Sequence, residues 1–333
     1  MIIRLGSRNY LLYRPLAPTP RNLPVLIALH GTGGSPLHFT RNTGLLDHID
    51  KENLIIAFPD AGNRQWNDGR PGTDDGIGDV AFLRLVITDI VRFHQGDPTR
   101  VLITGVSNGG MMAQRMACEA ADVITAASAV SALKPVGLTS TPSQPVPMVL
   151  MASRTDPIVP WNGGRIKSPT DGIVLSAFDT LSFWSGVNGC SGLESTSDLP
   201  GIITHRAIDC QSPNKAVLHE VLEGGHEWFP QATEFVLDFF RPYGLKTSKR
   251  YYSCSLTGSG TGSDMFRAVI HDTGITYRCI ADERPLKTSP EGSMIVEAIV
   301  SEARHVILTR DPRIVPLNEK EAKRRSAHAP GRS

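Results

Sequence analysis

The stretch VLITGVSNGGMMAQR, residues 101–115, sets a serine between glycines where a strand pattern changes into a helix pattern. Apolar and β-branched residues lead into Gly105, and a run of good helix formers follows Gly109. A Gly-x-Ser-x-Gly turn between a strand and a helix is typical of a nucleophile held on a sharp bend. A passive turn that needs small residues is the alternative. The strand before and the helix after favour Ser107 as a nucleophile.

Short apolar runs that alternate with helical patterns predict the fold class. The runs are VLIAL (residues 25–29), LIIAF (54–58), VLITG (101–105) and VPMVLMA (146–152). Each is followed by a loop, as buried parallel strands are. Helical periodicity covers residues 79–94, 108–121, 174–187 and 230–240, and we expect Asp79 to cap the first helix. This alternation predicts an α/β protein with a doubly wound, mostly parallel sheet and helices on both faces.

The sequence pattern changes after Tyr243. Beyond it, short alternating runs are separated by Gly, Ser, Asp and Thr, which indicates a few antiparallel strands. The stretch SMIVEAIVSEARHVILT, residues 293–309, fits a strand or a helix equally well. The last residues are charged and poor in apolar side chains. We therefore divide the chain into a catalytic domain (1–245), a small β-rich accessory module (246–317) and a disordered tail (318–333).

The composition argues against several classes of protein. The chain has 333 residues, 40% of them hydrophobic, and a net charge of +1, so no strong field attracts nucleic acid or an anionic membrane. No apolar run approaches the ~20 residues that span a bilayer. We therefore expect neither nucleic acid nor a membrane as partner. Residues 1–15 lack the apolar core of an export signal, which predicts a cytoplasmic protein, with secretion or virion association by another route as the alternative.

The cysteines point away from metal binding. There are five, and none forms a C-x-x-C pair, so we expect no zinc, no other metal and no organic cofactor. Cys190 and Cys210 bracket a loop. They either pair or stay reduced, because spacing alone does not establish a disulfide.

A nucleophilic serine needs a general base, and the base needs a group that orients it. In α/β-hydrolases the chain order is Ser, then Asp or Glu, then His. Asp156 opens the loop after the apolar run that ends at Ala152, which is where an orienting carboxylate is expected. Two alternatives remain. Asp156 caps a turn at Pro157, or Asp171 takes the orienting role.

The candidate base is a histidine near the last predicted helix. His226 lies in EGGHEWFP, between a predicted strand and that helix, and two glycines free its backbone. Among the ten histidines of the chain, His205 and His219 fall inside predicted strands and lack such a loop. We therefore expect Ser107, Asp156 and His226 to form the catalytic set.

Attack on a carbonyl also requires donors for the oxyanion that forms. The loop HGTGG, residues 30–34, follows the first strong strand, and its glycines let backbone N–H groups turn toward a substrate oxygen. We expect one donor to be the amide of Asn108, directly after the nucleophile, and the other to come from Thr32 or Gly33. Phosphate binding is the alternative for a glycine-rich loop, but HGTGG lacks the Gly-Lys-Ser/Thr ending of a P-loop.

Six stretches together resemble a known family. They are LIALHGTGG, WNDGR, DVAFLRLVITDI, GVSNGGMMAQRMACE, TDPIVPWNGG and EGGHEWFP, in this order over residues 11–243. They are similar to the polyhydroxybutyrate depolymerase-like esterases, which include feruloyl and acetylxylan esterases of the α/β-hydrolase fold. The resemblance implies a serine esterase whose triad is Ser107, Asp156 and His226, and a disulfide between Cys190 and Cys210.

Two features depart from that family. Its members are commonly secreted, and residues 1–15 show no leader pattern. The part after Tyr243 is not in the family pattern, and it faintly resembles small modules of phage proteins.

The expected reaction is hydrolysis of carboxylic esters, of the polyhydroxyalkanoate, feruloyl or acetyl type, through an acyl-enzyme. The short, Pro-rich stretch 131–147 leaves little room for a lid, which suits a polymeric or polysaccharide-linked ester. Trp66 and Trp228 are candidate aromatic walls, with Asn67 beside the first. Ordinary packing explains the tryptophans equally well, and a turn explains Asn67.

Two other functions remain open. The chain is alternatively a carbohydrate- or partner-binding component of a larger, phage-related assembly, in which the C-terminal module binds a protein or carbohydrate and the hydrolase body is a platform. The set Ser107, Asp156 and His226 argues against this, since a platform needs none of them. A peptidase on the same fold shares the triad chemistry, but amides are harder to cleave than esters.

Overall fold

The computed structural model describes most of the chain up to residue 245 and six strands beyond it. The described residues are 1–16, 22–73, 78–168, 170, 172–211, 215–245, 251–257, 265–270, 276–281, 293–297, 299–300 and 306–308. Asp171 and the predicted tail (318–333) lie outside them. The chain divides into two compact units, Met1–Thr247 and Ser248–Ser333, which are described separately.

The first unit has twelve described strands, of which ten form one large sheet and two form a separate antiparallel pair. In chain order they are β1 (Ile2–Leu5), β2 (Arg8–Tyr13), β3 (Leu23–Leu29), β4 (Ile55–Pro59), β5 (Gly96–Gly105), β6 (Ala126–Val130), β7 (Met148–Ser153), β8 (Gly164–Arg165), β9 (Ile173–Val174), β10 (Gly192–Leu199), β11 (Ile202–Ile208) and β12 (Ala216–Val221). Among the described residues the sheet has ten strands in the order β1-β2-β4-β3-β5-β6-β7-β12-β11-β10. The six central strands, β4, β3, β5, β6, β7 and β12, pair in parallel. At one edge β2 pairs antiparallel with β4 and β1 with β2, and at the other β11 pairs antiparallel with β12 and β10 with β11.

Helices of the first unit follow the strands. They are α1 (Pro36–Asn42), α2 (Ile49–Glu52), α3 (Asp79–Phe93), α4 (Asn108–Glu119), α5 (Ala177–Val187) and α6 (Ala232–Phe240). Single 3-10 turns occur at Leu45–His48, Pro71–Thr73, Ala121–Val123 and Arg241–Tyr243. In the described part of the chain no helix has the length and apolar character needed to cross a bilayer.

Side chains of β3 alternate between two cores. Val25, Ile27 and Leu29 pack in the core that contains α3, α4 and α5. Leu26 and Ala28 pack in the core that contains α1, α2 and α6. Because successive side chains of a strand point to opposite faces, helices cover both faces of the sheet. The predicted doubly wound, mostly parallel architecture is confirmed.

Asp79 lies in the first turn of α3 but does not cap the helix. The N-cap residue is Gly78, and no side chain caps the helix. Oδ1 of Asp79 accepts from Arg8 at 2.5 Å, and Oδ2 accepts from the amide of Asn67 at 2.7 Å. The predicted capping role is therefore wrong, because the carboxylate ties the helix to β2 and to the loop before the helix.

The second unit is described as strands only. They are β13 (Tyr251–Thr257), β14 (Met265–Ile270), β15 (Thr276–Ala281), β16 (Ser293–Glu297), β17 (Ile299–Val300) and β18 (Val306–Leu308). They form a sheet in the order β16-β13-β14-β15-β18-β17, in which only the β15–β18 pair is parallel among the described strands. The stretch 293–309, which fitted a strand or a helix, is in strands over its described part.

A disulfide joins Cys190 to Cys210. Cys190 follows α5 and Cys210 follows β11, so the bond closes a loop that contains the antiparallel strands β10 and β11 at the sheet edge. Cys118 is free and buried in α4, and burial raises the pKa of its thiol to about 12. A thiol in this environment is a poor nucleophile.

Replacing both disulfide cysteines, in the variant Cys190→Ser/Cys210→Ser, is expected to lower stability by about 3 kcal/mol, since a loop of this length is no longer closed in the unfolded chain. The measurement is thermal unfolding with and without dithiothreitol. Wild type in reductant should unfold at the temperature of the double variant, and reductant should leave the variant unchanged. Equal unfolding temperatures for all samples would contradict the prediction.

Candidate active site

Ser107 occupies the turn between β5 and α4. Its φ is 55° and its ψ is −125°, a backbone conformation that residues other than glycine rarely adopt. The amide of Ser107 donates to the carbonyl of Val130 at 2.9 Å, and its carbonyl accepts from Met111 at 2.9 Å. Strain of this kind persists only where the surroundings enforce it. Here a neighbouring strand and the first helical turn hold the serine backbone from both sides.

Glycines allow three backbone segments to meet at this turn. A Cβ at Gly105 would overlap the backbone of Gly109, and a Cβ at Gly109 would overlap the carbonyls of Leu29 and His30. These approaches are closer than any side chain permits. The end of β5, the start of α4 and the loop after β3 are therefore packed backbone against backbone.

The structure brings Ser107, His226 and Asp156 together in one hydrogen-bonded row. Nε2 of His226 lies 2.7 Å from Oγ of Ser107, and Nδ1 of His226 lies 2.8 Å from Oδ2 of Asp156. The Asp156 side chain is 2% exposed and the imidazole 14%. A carboxylate beside Nδ1 favours the tautomer with the proton on Nδ1. Nε2 is then free to accept the hydroxyl proton of the serine.

Asp156 uses its second oxygen to shape its own loop. Oδ1 accepts from the amides of Ile158 and Val159, at 2.8 and 2.9 Å. The two interpretations of Asp156 from sequence are thus compatible: one oxygen caps the turn at Pro157 and the other contacts the imidazole. Turn capping fixes the direction in which the carboxylate faces His226.

The loops that carry Asp156 and His226 are bonded to each other and to β6. Hydroxyls of Ser153 and Thr155 both donate to the carbonyl of Gly224 at 2.9 Å. The hydroxyl of Ser131, at the end of β6, donates to the carbonyl of Glu227 at 2.7 Å. Sequence reasoning missed these supports, because a serine or threonine in a loop carries no sign of its partner.

The candidate oxyanion donors differ in whether their backbone amides are already hydrogen-bonded. The amide of Gly33 donates to the carbonyl of Arg64 at 2.7 Å, so it is occupied in this conformation. Of the two donors left open by the sequence, the amide of Thr32 is the better candidate. Asn108 is the first residue of α4, and amides in the first helical turn have no acceptor within the helix.

His30 anchors the start of the HGTGG loop. Its ring is buried, and burial lowers its pKa, which favours the neutral form. Nε2 accepts from the amide of Ala61 at 3.2 Å, so the ring proton is on Nδ1, which donates to the carbonyl of Gly31 at 2.8 Å. A neutral histidine of this tautomer holds the loop that approaches Ser107.

Trp66 does not line an open cleft, and the cavity that Asn67 borders is lined by neither Ser107 nor His226. Trp66 is fully buried, and its indole N–H donates to the carbonyl of His30 at 2.9 Å. Asn67 is 8% exposed, and its Oδ1 accepts from Arg115 at 2.5 Å. The expected substrate contact of Trp66 is therefore wrong, because its ring is buried, whereas that of Asn67 stays a prediction. The Trp66 side chain joins its own loop to the loop at His30, and the Asn67 side chain joins its loop to α4.

Trp228 differs from Trp66 in its exposure. It is half-buried, two residues after His226, and packs edge-on against Phe39 with ring centroids 5.4 Å apart. Its indole N–H donates to the hydroxyl of Thr233 at 3.0 Å. Because Trp228 is only half-buried and lies two residues after His226, it remains the candidate aromatic wall. Within the described ranges, no three His, Cys, Asp or Glu side chains are grouped to hold a metal ion.

Comparison with known proteins finds esterases. No family model matches the chain. It is 31% identical over 250 residues to "Putative esterase NocK" of Nocardia uniformis subsp. tsuyamanensis, which covers 68% of this chain and 72% of that protein. It is 30% identical over 213 residues to feruloyl esterase B of Piromyces equi, which covers 61% of this chain and 39% of that protein.

A solved structure shares the fold. The acetyl xylan esterase from Aspergillus awamori superposes with a TM-score of 0.53, over 71% of this chain and 94% of that chain. The two sequences are 16% identical in the superposed part.

Gly→Ala changes at Gly109, in the turn, and at Gly186, in α5, should have opposite effects on the stability of the fold. Gly109→Ala would force a Cβ into the carbonyls of Leu29 and His30, and should destabilise the fold by about 2 kcal/mol or more. Gly186→Ala is the matched control, since Gly186 is an exposed residue of α5 with open space around it, and should stabilise by up to about 1 kcal/mol. Denaturant unfolding midpoints measure both. Similar midpoints for the two variants would contradict the packing described here.

Proposed function

Because the chain belongs to the polyhydroxybutyrate depolymerase-like family of α/β-hydrolase serine esterases, which includes feruloyl and acetylxylan esterases, we propose that Ser107, His226 and Asp156 are its catalytic triad. The chain is a serine hydrolase that acts on carboxylic esters. The observation that carries the proposal is the row of contacts at 2.7 and 2.8 Å that joins the three side chains.

The first half of the reaction acylates the serine. Nε2 of His226 accepts the hydroxyl proton while Oγ of Ser107 attacks the ester carbonyl. The carbonyl oxygen becomes an oxyanion, and the amides of Asn108 and Thr32 donate to it. The imidazolium then gives its proton to the leaving alcohol, the C–O bond breaks, and the acyl group remains on Oγ.

The second half releases the acid. Water replaces the alcohol, His226 removes a proton from it, and the resulting attack on the acyl-enzyme forms a second oxyanion at the same donors. Collapse returns the proton to Oγ of Ser107 and frees the carboxylic acid. Asp156 keeps the imidazole in the required tautomer and stabilises the imidazolium in both halves.

The substrate class is an ester attached to a bulky or polymeric group. Relatives of the chain carry the names feruloyl esterase, acetylxylan esterase/xylanase and poly(3-hydroxyalkanoate) depolymerase. The half-buried ring of Trp228, next to the His226 loop, offers an apolar surface for such a group. The acyl groups to compare are therefore feruloyl, acetyl and 3-hydroxybutyryl.

The remaining expectations from sequence stay predictions. Side chains of the C-terminal module lie outside the described residues, so its binding of a protein or carbohydrate partner has no structural support here. Cytoplasmic location, with secretion or virion association as the alternative, also stays a prediction. Peptidase activity becomes an outcome of the substrate test, because the same triad chemistry cleaves amides.

Removing the serine hydroxyl tests the triad. Ser107→Ala should lower kcat for p-nitrophenyl esters by at least about 10³-fold, because no other group supplies the attacking oxygen. The measurement is initial rates on acetyl, 3-hydroxybutyryl and feruloyl donors and on a matching anilide. Rates equal to wild type would favour a binding protein, and faster anilide than ester hydrolysis by wild type would favour a peptidase.

Ser195→Ala is the matched control for that experiment. Oγ of Ser195 lies 2.7 Å from Nδ1 of His205, and Nε2 of His205 lies 2.7 Å from Glu220. The neighbouring strands β10, β11 and β12 thus hold a second row of serine, histidine and carboxylate. Ser195 lies in the strand β10 and not on a strand-to-helix turn, and its replacement should leave the rates unchanged.

Asp156→Asn should lower kcat by about 10⁴-fold, the scale known for the wrong histidine tautomer in a serine triad. The asparagine carbonyl can keep the amides of Ile158 and Val159, so the loop is expected to fold. A side-chain amide presented to Nδ1 donates instead of accepting, which places the ring proton on Nε2. Steady-state rates and thermal unfolding together check this. Wild-type kcat in a folded variant would remove Asp156 from the triad.

A further inference from the structure

The two proposed oxyanion donors belong to different loops. Thr32 lies in the HGTGG loop after β3, and Asn108 begins α4. A third segment, residues 64–70, is hydrogen-bonded to both. We propose that this segment, called the clasp below, is a positioning element that holds the two donor amides at a fixed separation. The inference rests on the proposed function, since it concerns the same oxyanion.

The clasp holds Asn108 through its side chain. Oδ1 of Asn108 accepts from the amide of Trp66 at 2.7 Å. Nδ2 donates to the carbonyl of Trp66 at 2.8 Å and to Oδ2 of Asp68 at 2.7 Å. The side chain is 1% exposed, and both of its donor hydrogens are used. The side chain is therefore fixed in one rotamer, which restrains the backbone amide of the same residue.

The clasp holds the HGTGG loop on either side of Thr32. Before it, the indole N–H of Trp66 donates to the carbonyl of His30 at 2.9 Å. After it, the amide of Gly33 donates to the carbonyl of Arg64 at 2.7 Å, and the Arg64 guanidinium donates to the carbonyl of Gly33. Thr32 thus lies between two anchored residues. Trp66 contacts both loops, with its backbone on Asn108 and its indole on His30.

A buried ion pair between Asp68 and Arg70 lies within the clasp itself. Asp68 is fully buried and accepts from the Arg70 guanidinium at 2.7, 2.9 and 3.0 Å. It also accepts from the hydroxyl of Thr73 at 3.0 Å. A buried carboxylate is tolerated when its lone pairs are satisfied in this way. Asp68 is consequently an immobile acceptor for the side chain of Asn108.

Fixed donors matter because an oxyanion site works by preorganisation. Donors that are already aimed at the developing charge need no reorganisation during reaction. A displacement of about 1 Å can change a rate by about 10²-fold. The Asn108 side chain faces the clasp. Its effect on the reaction is therefore indirect, because it fixes the positions of two donor amides, its own and that of Thr32.

The experiment removes the Asn108 side chain and keeps its backbone amide. Asn108→Ala should lower kcat for p-nitrophenyl acetate by about 10- to 100-fold, with KM within about threefold of wild type. The affinity for a trifluoromethyl ketone, which forms a tetrahedral oxyanion adduct with a reactive serine, should fall by a similar factor. A purely structural role would lower stability and leave kcat per folded molecule unchanged.

Asn188→Ala is the matched control. Asn188 is also fully buried, and its Nδ2 donates to the carbonyls of Val146 and Trp184. None of these contacts involves the clasp. This variant should lower the unfolding temperature and keep the kcat of wild type. An equal loss of kcat in Asn188→Ala and Asn108→Ala would overturn the proposal.

A second variant serves if Asn108→Ala does not fold. Trp66→Phe keeps an aromatic ring in the core and the backbone bonds to Asn108, and it removes the N–H that binds the His30 carbonyl together with one ring of the indole. It should lower kcat by about 3- to 10-fold with little change in KM. A folded Trp66→Phe or Asn108→Ala protein with kcat within about twofold of wild type overturns the clasp.

Ser107→Ala separates this failure from failure of the proposed function. If Ser107→Ala is inactive while Asn108→Ala has wild-type kcat, the proposed triad is supported and only the positioning role of the clasp is contradicted. If Ser107→Ala keeps wild-type activity, the proposed function is contradicted, and so is the positioning role of the clasp that rests on it.

Discussion

The active-site structure depends on a backbone contact that only glycine allows. The end of β5, the start of α4 and the loop after β3 meet at Ser107, and a Cβ at Gly105 or Gly109 would overlap neighbouring backbone. The same contact supports Ser107 at a φ of 55°, which serine rarely adopts. It also packs the start of the HGTGG loop and the first turn of α4 against the Ser107 turn. The proposed nucleophile and the candidate donors are thus positioned by one feature.

The order of strands in the sheet explains the rest of the site. Carboxyl ends of parallel strands lie at one edge of a sheet, where their loops meet. β12 pairs with β7, so the loop with His226 lies beside the loop with Asp156 despite their separation in sequence. β6 lies between β5 and β7 and contributes Ser131, whose hydroxyl holds the His226 loop at Glu227.

The segment WNDGR shows where sequence reasoning fails. Trp66 was expected at a cleft, but it is fully buried and its indole N–H binds the carbonyl of His30 in another loop. Asp79 was expected to cap its own helix, but its carboxylate bonds to Arg8 and to the amide of Asn67. A buried polar side chain needs a partner, and in each case the partner is distant in sequence. Periodicity and local turn chemistry carry no record of such partners.

The sequence by itself determined the alternation of strands and helices, the strand-to-helix turn at Ser107, and the chain order of the three candidate catalytic residues. Those features are local, since they depend on apolar periodicity and on glycines next to the residue concerned. Only the tertiary structure decided that Gly33 uses its amide on Arg64, that Trp66 is buried, and that Cys190 is bonded to Cys210. These outcomes depend on which distant segments become neighbours, because hydrogen bonds and disulfides form only between groups that packing brings into reach.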